Sequence, residues 1–66
     1  MSIGEFDCCM GVLAKAEDYI KRGWFTLAKT EVSAIGPLIK TCPVQDRYWK
    51  AVYVRYNRTR SMAYSR

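Results

Sequence analysis

The chain has 66 residues, half of them hydrophobic and 14% aromatic, and carries a formal net charge of +5. A chain of this length forms one domain that buries only about 60% of the surface its unfolded form exposes, and its apolar content excludes an intrinsically disordered protein. No apolar run approaches the ~18 residues of a membrane-spanning helix, and acidic Glu5 and Asp7 argue against a secretory signal. We therefore expect a single-domain cytoplasmic protein that does not associate with membranes.

The first predicted helix starts at a capping box, Ser2-Ile-Gly-Glu5, and runs to Arg22. Its apolar residues share one face at helical spacing, although Glu17 also falls on that side and has no explanation in the sequence. Basic residues 21 and 22 suit the negative end of a helix, and Gly23 suits the left-handed residue that follows a helix. The apolar face comprises Ile3, Phe6, Cys9, Met10, Leu13, Ala16 and Ile20.

The second predicted helix begins at Gly23 or Trp24, and its buried stripe is Phe25, Ala28, Val32 and Ile35. Gly36-Pro37 then interrupts the pattern, because proline lacks the N–H and clashes with the preceding turn. The helix either ends near residue 35 or is kinked at the proline and continues, and the apolar residues 38 and 39 favour a kink. The two helices form an antiparallel hairpin.

Residues 44–58 are compatible with a helix or a strand. Their aromatic and β-branched content is typical of strands, whereas Val44, Tyr48, Val52 and Tyr56 recur every four residues as in a helix. A lone strand would have no partner in a chain of helices, so we favour a third helix, with residues 59–66 fraying. The predicted class is an all-α, three-helix domain spanning residues 1–66.

The positive charge is concentrated at the C-terminal end. Residues 1–42 contain five basic and five acidic side chains, whereas residues 43–66 contain six basic side chains and only Asp46. This asymmetry indicates an anionic partner, with an acidic protein surface favoured and DNA as the alternative. A solvated basic face with no partner explains the same pattern. The candidate binding residues are Arg47, Lys50, Arg55, Arg58, Arg60, Trp24 and Trp49.

The two tryptophans have alternative roles. Trp24 either covers the corner of the hairpin or anchors a partner, since tryptophan is common at interface hot spots. Trp49 and the neighbouring tyrosines either stack on exposed bases or belong to the core. A homodimer is also compatible with so apolar a short chain.

Enzymatic chemistry and metal binding are not expected. The chain has no histidine, no phosphate-binding glycine loop and no nucleophile motif. Its three cysteines lack the spacing of a zinc site, and adjacent Cys8 and Cys9 make a poor disulfide pair. We predict no catalytic residue, no metal ligand and no cofactor.

The hairpin resembles a known family. Ala16-Glu17, Arg22-Gly23-Trp24-Phe25 and Ala28 are similar to the Ala-x-x-Leu-Glu-x-x-Gly-Leu-Tyr-x-x-Ala core of the small PerC-like regulators and the related ANR family of enterobacteria and their prophages. The resemblance covers about residues 14–57, with Val32 standing where the family has a tryptophan. It implies a transcription regulator in a bacterial cytoplasm that acts largely through contacts with other proteins of the transcription or nucleoid machinery.

Two functions therefore remain open. The first is a non-enzymatic regulator whose basic final helix contacts an acidic protein or DNA. The alternative is a phage-encoded inhibitor, of the anti-defence or anti-CRISPR type, that occludes a host protein complex.

Overall fold

Residues 1–65, which the computed structural model describes, fold into three helices, α1 (Ile3–Lys21), α2 (Phe25–Thr41) and α3 (Trp49–Tyr64). Each helix packs against both of the others, which confirms the predicted all-α, three-helix class. Within residues 1–65, no helix combines the length and apolarity needed to cross a membrane. The largest fully buried side chains come from all the helices of this core: Leu13, Ile39, Val32, Val52, Thr59 and Cys9.

The start of α1 is held by the predicted capping box. The Glu5 backbone N–H donates to the Ser2 hydroxyl at 3.2 Å, and the Ser2 backbone N–H donates to the Glu5 carboxylate at 2.9 Å. These two bonds satisfy donors that the first turn of a helix leaves without partners. The N-terminus of α1 is therefore fixed by local sequence.

The turn between α1 and α2 is a Schellman motif centred on Gly23. Gly23 adopts φ +80°, which its missing Cβ makes inexpensive. Its N–H donates to the Ile20 carbonyl at 3.0 Å, and the Trp24 N–H donates to the Tyr19 carbonyl at 2.8 Å. The Trp24 and Tyr19 rings also pack, with centroids 6.0 Å apart. The predicted left-handed glycine stop is confirmed.

Helix α2 continues through Gly36-Pro37 to Thr41 and does not end near Ile35. Proline cannot donate the helical bond to the carbonyl four residues earlier, yet the buried stripe extends past it to Ile39. The Thr41 hydroxyl donates to the carbonyls of Pro37 at 3.0 Å and Leu38 at 3.2 Å, which supplies donors to the last turn. Burial of this apolar stripe against the other helices therefore keeps the chain helical past the proline.

Helix α3 begins later and ends later than the sequence indicated. Asp46 lies in the turn before α3 and fixes the start of the helix. Its carboxylate accepts the Tyr48 N–H at 2.8 Å, and its carbonyl accepts the Trp49 N–H at 3.2 Å. The same carboxylate pairs with the ammonium group of Met1, which holds the pKa of Asp46 below its ordinary value. The predicted helix over 44–58 thus starts at residue 49, and Val44 is 64% exposed.

Residues 59–64, which the sequence predicts to fray, are helical and complete α3. Thr59 and Ala63 are fully buried against the hairpin, and this packing holds the last turns although their own periodicity is weak. Arg66 lies outside the described residues.

Candidate functional site

One predicted binding residue, Arg55, is engaged inside the fold. Its Nε and Nη2 atoms donate to the two oxygens of Glu17 at 2.9 and 2.8 Å, and the Thr59 hydroxyl donates to the same carboxylate at 3.1 Å. The hydrogen bonds from Arg55 are the largest cause that holds the pKa of Glu17 below its ordinary value. This network explains why an acidic residue occurs on the apolar side of α1, and it joins α1 to α3.

The remaining predicted cations do not form one face of α3. Arg58 lies over the α1–α3 boundary beside Lys21, whereas Arg60 lies over the α2–α3 boundary beside Lys40. Lys50 is exposed in the first turn of α3. Arg47 precedes the helix, with its guanidinium 5.2 Å from the centroid of the Tyr48 ring. A single basic stripe along α3 is therefore absent from the described chain.

The two predicted tryptophans are held by contacts within the chain. Trp49 is half-buried, donates its indole N–H to the Ile39 carbonyl at 3.2 Å and stacks on Tyr53 with ring centroids 4.4 Å apart. Trp24 covers the hairpin corner but remains 48% exposed, with the Arg22 guanidinium 5.2 Å from its ring centroid. Trp49 belongs to the scaffold, and Trp24 keeps half of its surface open to solvent.

A cationic groove lies between α2 and α3, with a volume of about 490 Å³ in its larger part. We call it the α2–α3 groove. From α3, residues 53, 57, 60 and 64 follow one another at helical spacing and form one wall. The groove is lined by Ser33, Gly36, Pro37, Ile39, Lys40 and Thr41 of α2 and by Tyr53, Tyr56, Asn57, Arg60 and Tyr64 of α3.

The floor of the groove carries a tyrosine hydroxyl. Tyr56 is only 6% exposed, and its side chain lines both the larger and the smaller part of the groove. A Cβ atom at Gly36 would lie 3.0 Å from the Tyr56 hydroxyl oxygen, closer than side chains normally approach. Gly36 therefore leaves the space in which this hydroxyl sits.

Two cations lie beside the ring of a second tyrosine, Tyr64, at the C-terminal end of α3. The Lys29 ammonium lies 5.4 Å and the Arg60 guanidinium 5.6 Å from the centroid of the Tyr64 ring, within the range of cation–π attraction. The Tyr64 and Ser33 hydroxyls are 3.2 Å apart and share a hydrogen bond across the groove. Lys29 and Arg60 are therefore held near the groove, and neither forms an ion pair with a carboxylate of residues 1–65.

Negative charge lies on the other side of the molecule. None of the described residues that line the α2–α3 groove is acidic. Four of the six acidic residues lie on α1, and the one acidic residue of α2, Glu31, pairs with Lys15 of α1 at 3.8 Å. The groove thus carries a positive potential that no carboxylate among the described lining residues cancels.

Comparison with models of known families, with curated proteins and with solved structures finds no match to this chain.

Sequence reasoning identified Arg60 but missed the residues around it. Lys29 and Lys40 lie in the part of the chain whose charges sum to zero, so the charge asymmetry does not point to them. The sequence favours a core position for Tyr56, which its burial confirms, but it does not indicate that the hydroxyl faces a groove, and it marks Gly36 only as part of the break at Pro37. One signal was present: residues 56, 60 and 64 are four apart, which places two tyrosines and an arginine on one side of a helix.

Proposed function

We propose that this protein is a small non-enzymatic regulator that binds an acidic segment of a partner protein in the α2–α3 groove. The observation that carries the proposal is the clustering of Lys29, Lys40 and Arg60 around a groove without acidic residues among those described. The resemblance of the hairpin to PerC-like regulators supports a partner in the transcription or nucleoid machinery. The phage-encoded inhibitor uses the same surface and differs only in the identity of its partner.

An acidic protein fits the arrangement better than duplex DNA does. DNA readers place polar, base-contacting residues early in a recognition helix and align cations along the backbone. The first turn of α3 is Trp-Lys-Ala-Val, and Arg58 and Arg60 lie on opposite flanks of α3. A groove between two helices instead accepts a helix or an extended segment of a partner, whose carboxylates would meet these cations.

A pair of charge-matched variants tests the proposal. Lys40→Glu/Arg60→Glu reverses charge inside the groove, and Lys50→Glu/Arg47→Glu makes the same change in net charge outside it. The probe is a fluorescent 16-residue peptide rich in glutamate, titrated by anisotropy at low and at physiological salt. We expect the groove variant to lose at least about tenfold in affinity, and the control to lose only the few-fold that long-range attraction supplies.

Two results would contradict the proposal. Equal losses in both variants would mean that the net charge of the protein, and not the groove, attracts the peptide. Tighter binding of a 20-base-pair duplex than of the peptide, with a steep dependence on salt, would assign the cations to DNA.

A further inference from the structure

The Tyr56 hydroxyl is an O–H donor that opens on the α2–α3 groove. The residue as a whole is 94% buried, yet the described residues include no buried polar side-chain atom that lacks a hydrogen-bond partner, so the hydroxyl oxygen stays accessible from the groove. The buried Thr59 hydroxyl differs, because it donates to Glu17 within the chain. The Tyr56 hydroxyl makes no hydrogen bond to a described residue and is therefore available to a group bound in the groove.

The surroundings of this hydroxyl complete a site for an oxyanion. Lys40 from α2 and Arg60 from α3 line both parts of the groove together with Tyr56. Each wall of the groove therefore contributes one cation beside this tyrosine. Gly36 leaves room for the hydroxyl, because the Cβ atom of any larger residue would lie 3.0 Å from the hydroxyl oxygen. The site therefore combines an ammonium group, a guanidinium group and a neutral O–H donor.

We infer that this site receives the phosphoryl group of a phosphorylated serine or threonine on the partner protein. The inference rests on the proposed function and specifies which acidic group the groove recognises. The phosphoryl oxygens accept from Tyr56, Arg60 and Lys40, and the rest of the partner segment follows the groove toward Tyr64 and Lys29.

Charge and donor number favour a phosphomonoester over a carboxylate. A carboxylate carries one negative charge, which one bidentate arginine balances, as Arg55 does for Glu17. A phosphomonoester carries about −1.5 to −2 at neutral pH and three strong acceptor oxygens. Two cations and a third donor match that group, and the two positive charges exceed the single negative charge of a carboxylate.

The aromatic residues argue against a nucleic-acid phosphate. Single-stranded nucleic acid binds where bases can stack on open aromatic faces. At the two ends of the groove, Tyr53 is stacked on Trp49 and Tyr64 lies under Lys29 and Arg60. A phosphodiester also brings one negative charge per phosphate, so it leaves one of the two cations without its counterpart.

The test uses three small probes and the full chain labelled with ¹⁵N. N-acetyl-O-phosphothreonine N-methylamide, N-acetylglutamate N-methylamide and a twelve-residue oligothymidylate are titrated separately and followed by amide chemical shifts. We expect the phosphothreonine probe to shift residues on both walls of the groove and to bind at least about tenfold more tightly than the glutamate probe. Its affinity should fall several-fold between pH 7.5 and pH 5.5, because the second phosphate pKa is near 6.

Matched variants assign the effect to the hydroxyl. Tyr56→Phe keeps the buried ring and removes only the O–H, so phosphothreonine binding should weaken about tenfold while the glutamate-rich peptide loses little. Tyr19→Phe makes the same deletion on α1 and should change nothing. Gly36→Ala leaves every donor in place but displaces the hydroxyl, and it should weaken phosphothreonine binding in the same direction as Tyr56→Phe.

Each contrary outcome has a separate meaning. Equal affinity for the phosphothreonine and glutamate probes, or unchanged phosphothreonine binding by Tyr56→Phe, would overturn the phosphoryl site and leave the acidic-segment proposal standing. Tighter binding of oligothymidylate at the same residues would overturn it in favour of nucleic acid. Failure of the phosphothreonine probe and of the glutamate-rich peptide alike would refute both proposals.

Discussion

The two sides of α3 differ in whether their polar side chains have partners within the described chain. Toward α1, Arg55 and Thr59 are both bonded to Glu17, so charge and hydroxyl are satisfied within the chain. Toward α2, Arg60 meets no carboxylate among the described residues and the Tyr56 hydroxyl has no partner there. The comparison separates polar groups that maintain the fold from groups that remain available to another molecule.

The largest effect on stability should come from removing the Arg55–Glu17 pair on the α1 side of α3. Arg55→Met leaves the Glu17 carboxylate partly buried without its main partner, and we expect the free energy of unfolding to fall by about 2 kcal/mol, between the values for exposed and buried pairs. Arg60→Met, the same substitution on the open side, should change it by less than about 0.5 kcal/mol. Urea denaturation of the two variants checks this prediction. Equal destabilisation would mean that Arg60 also supports the fold.

The two hydroxyls provide a second, smaller contrast. Thr59→Val removes a donor to an ionised carboxylate and should lower the free energy of unfolding by about 1 kcal/mol or more. Tyr56→Phe removes a groove-facing hydroxyl that has no partner among the described residues, so stability should stay unchanged. Thermal denaturation measured side by side tests both variants. A clear loss in Tyr56→Phe would show that its hydroxyl is structural.

The smallest effect is the response to acid. Because Arg55 holds the folded-state pKa of Glu17 below its ordinary value, the pair contributes stability above the unfolded pKa, and this contribution is lost as the pH falls through the folded pKa. Stability should therefore decline below about pH 4.5, and less steeply in Glu17→Gln. The difference is modest because a protonated Glu17 still accepts hydrogen bonds. Urea midpoints for both proteins between pH 6 and pH 3 measure it, and parallel curves would contradict the assignment.

Local sequence was sufficient for the parts of the fold that local interactions stabilise. Ser2 and Glu5 encode the start of α1, and Gly23 encodes the turn, because capping bonds and a positive φ depend on residues close in the chain. The apolar spacing of residues 9, 13, 28, 32 and 35 predicted their burial for a similar reason, since one face of a helix must be covered. The net positive charge of the C-terminal third was also evident.

Only the tertiary structure decided which charges are available and where they meet. The sequence could not show that Arg55 finds Glu17, 38 residues away, or that Lys40 and Arg60 line one groove. It favoured a continuation of α2 past Pro37 without excluding an end there, and it could not show that Thr59 and Ala63 hold the end of α3. Each of these outcomes depends on packing between residues distant in the chain, whereas capping, turn geometry and helical periodicity depend on near neighbours.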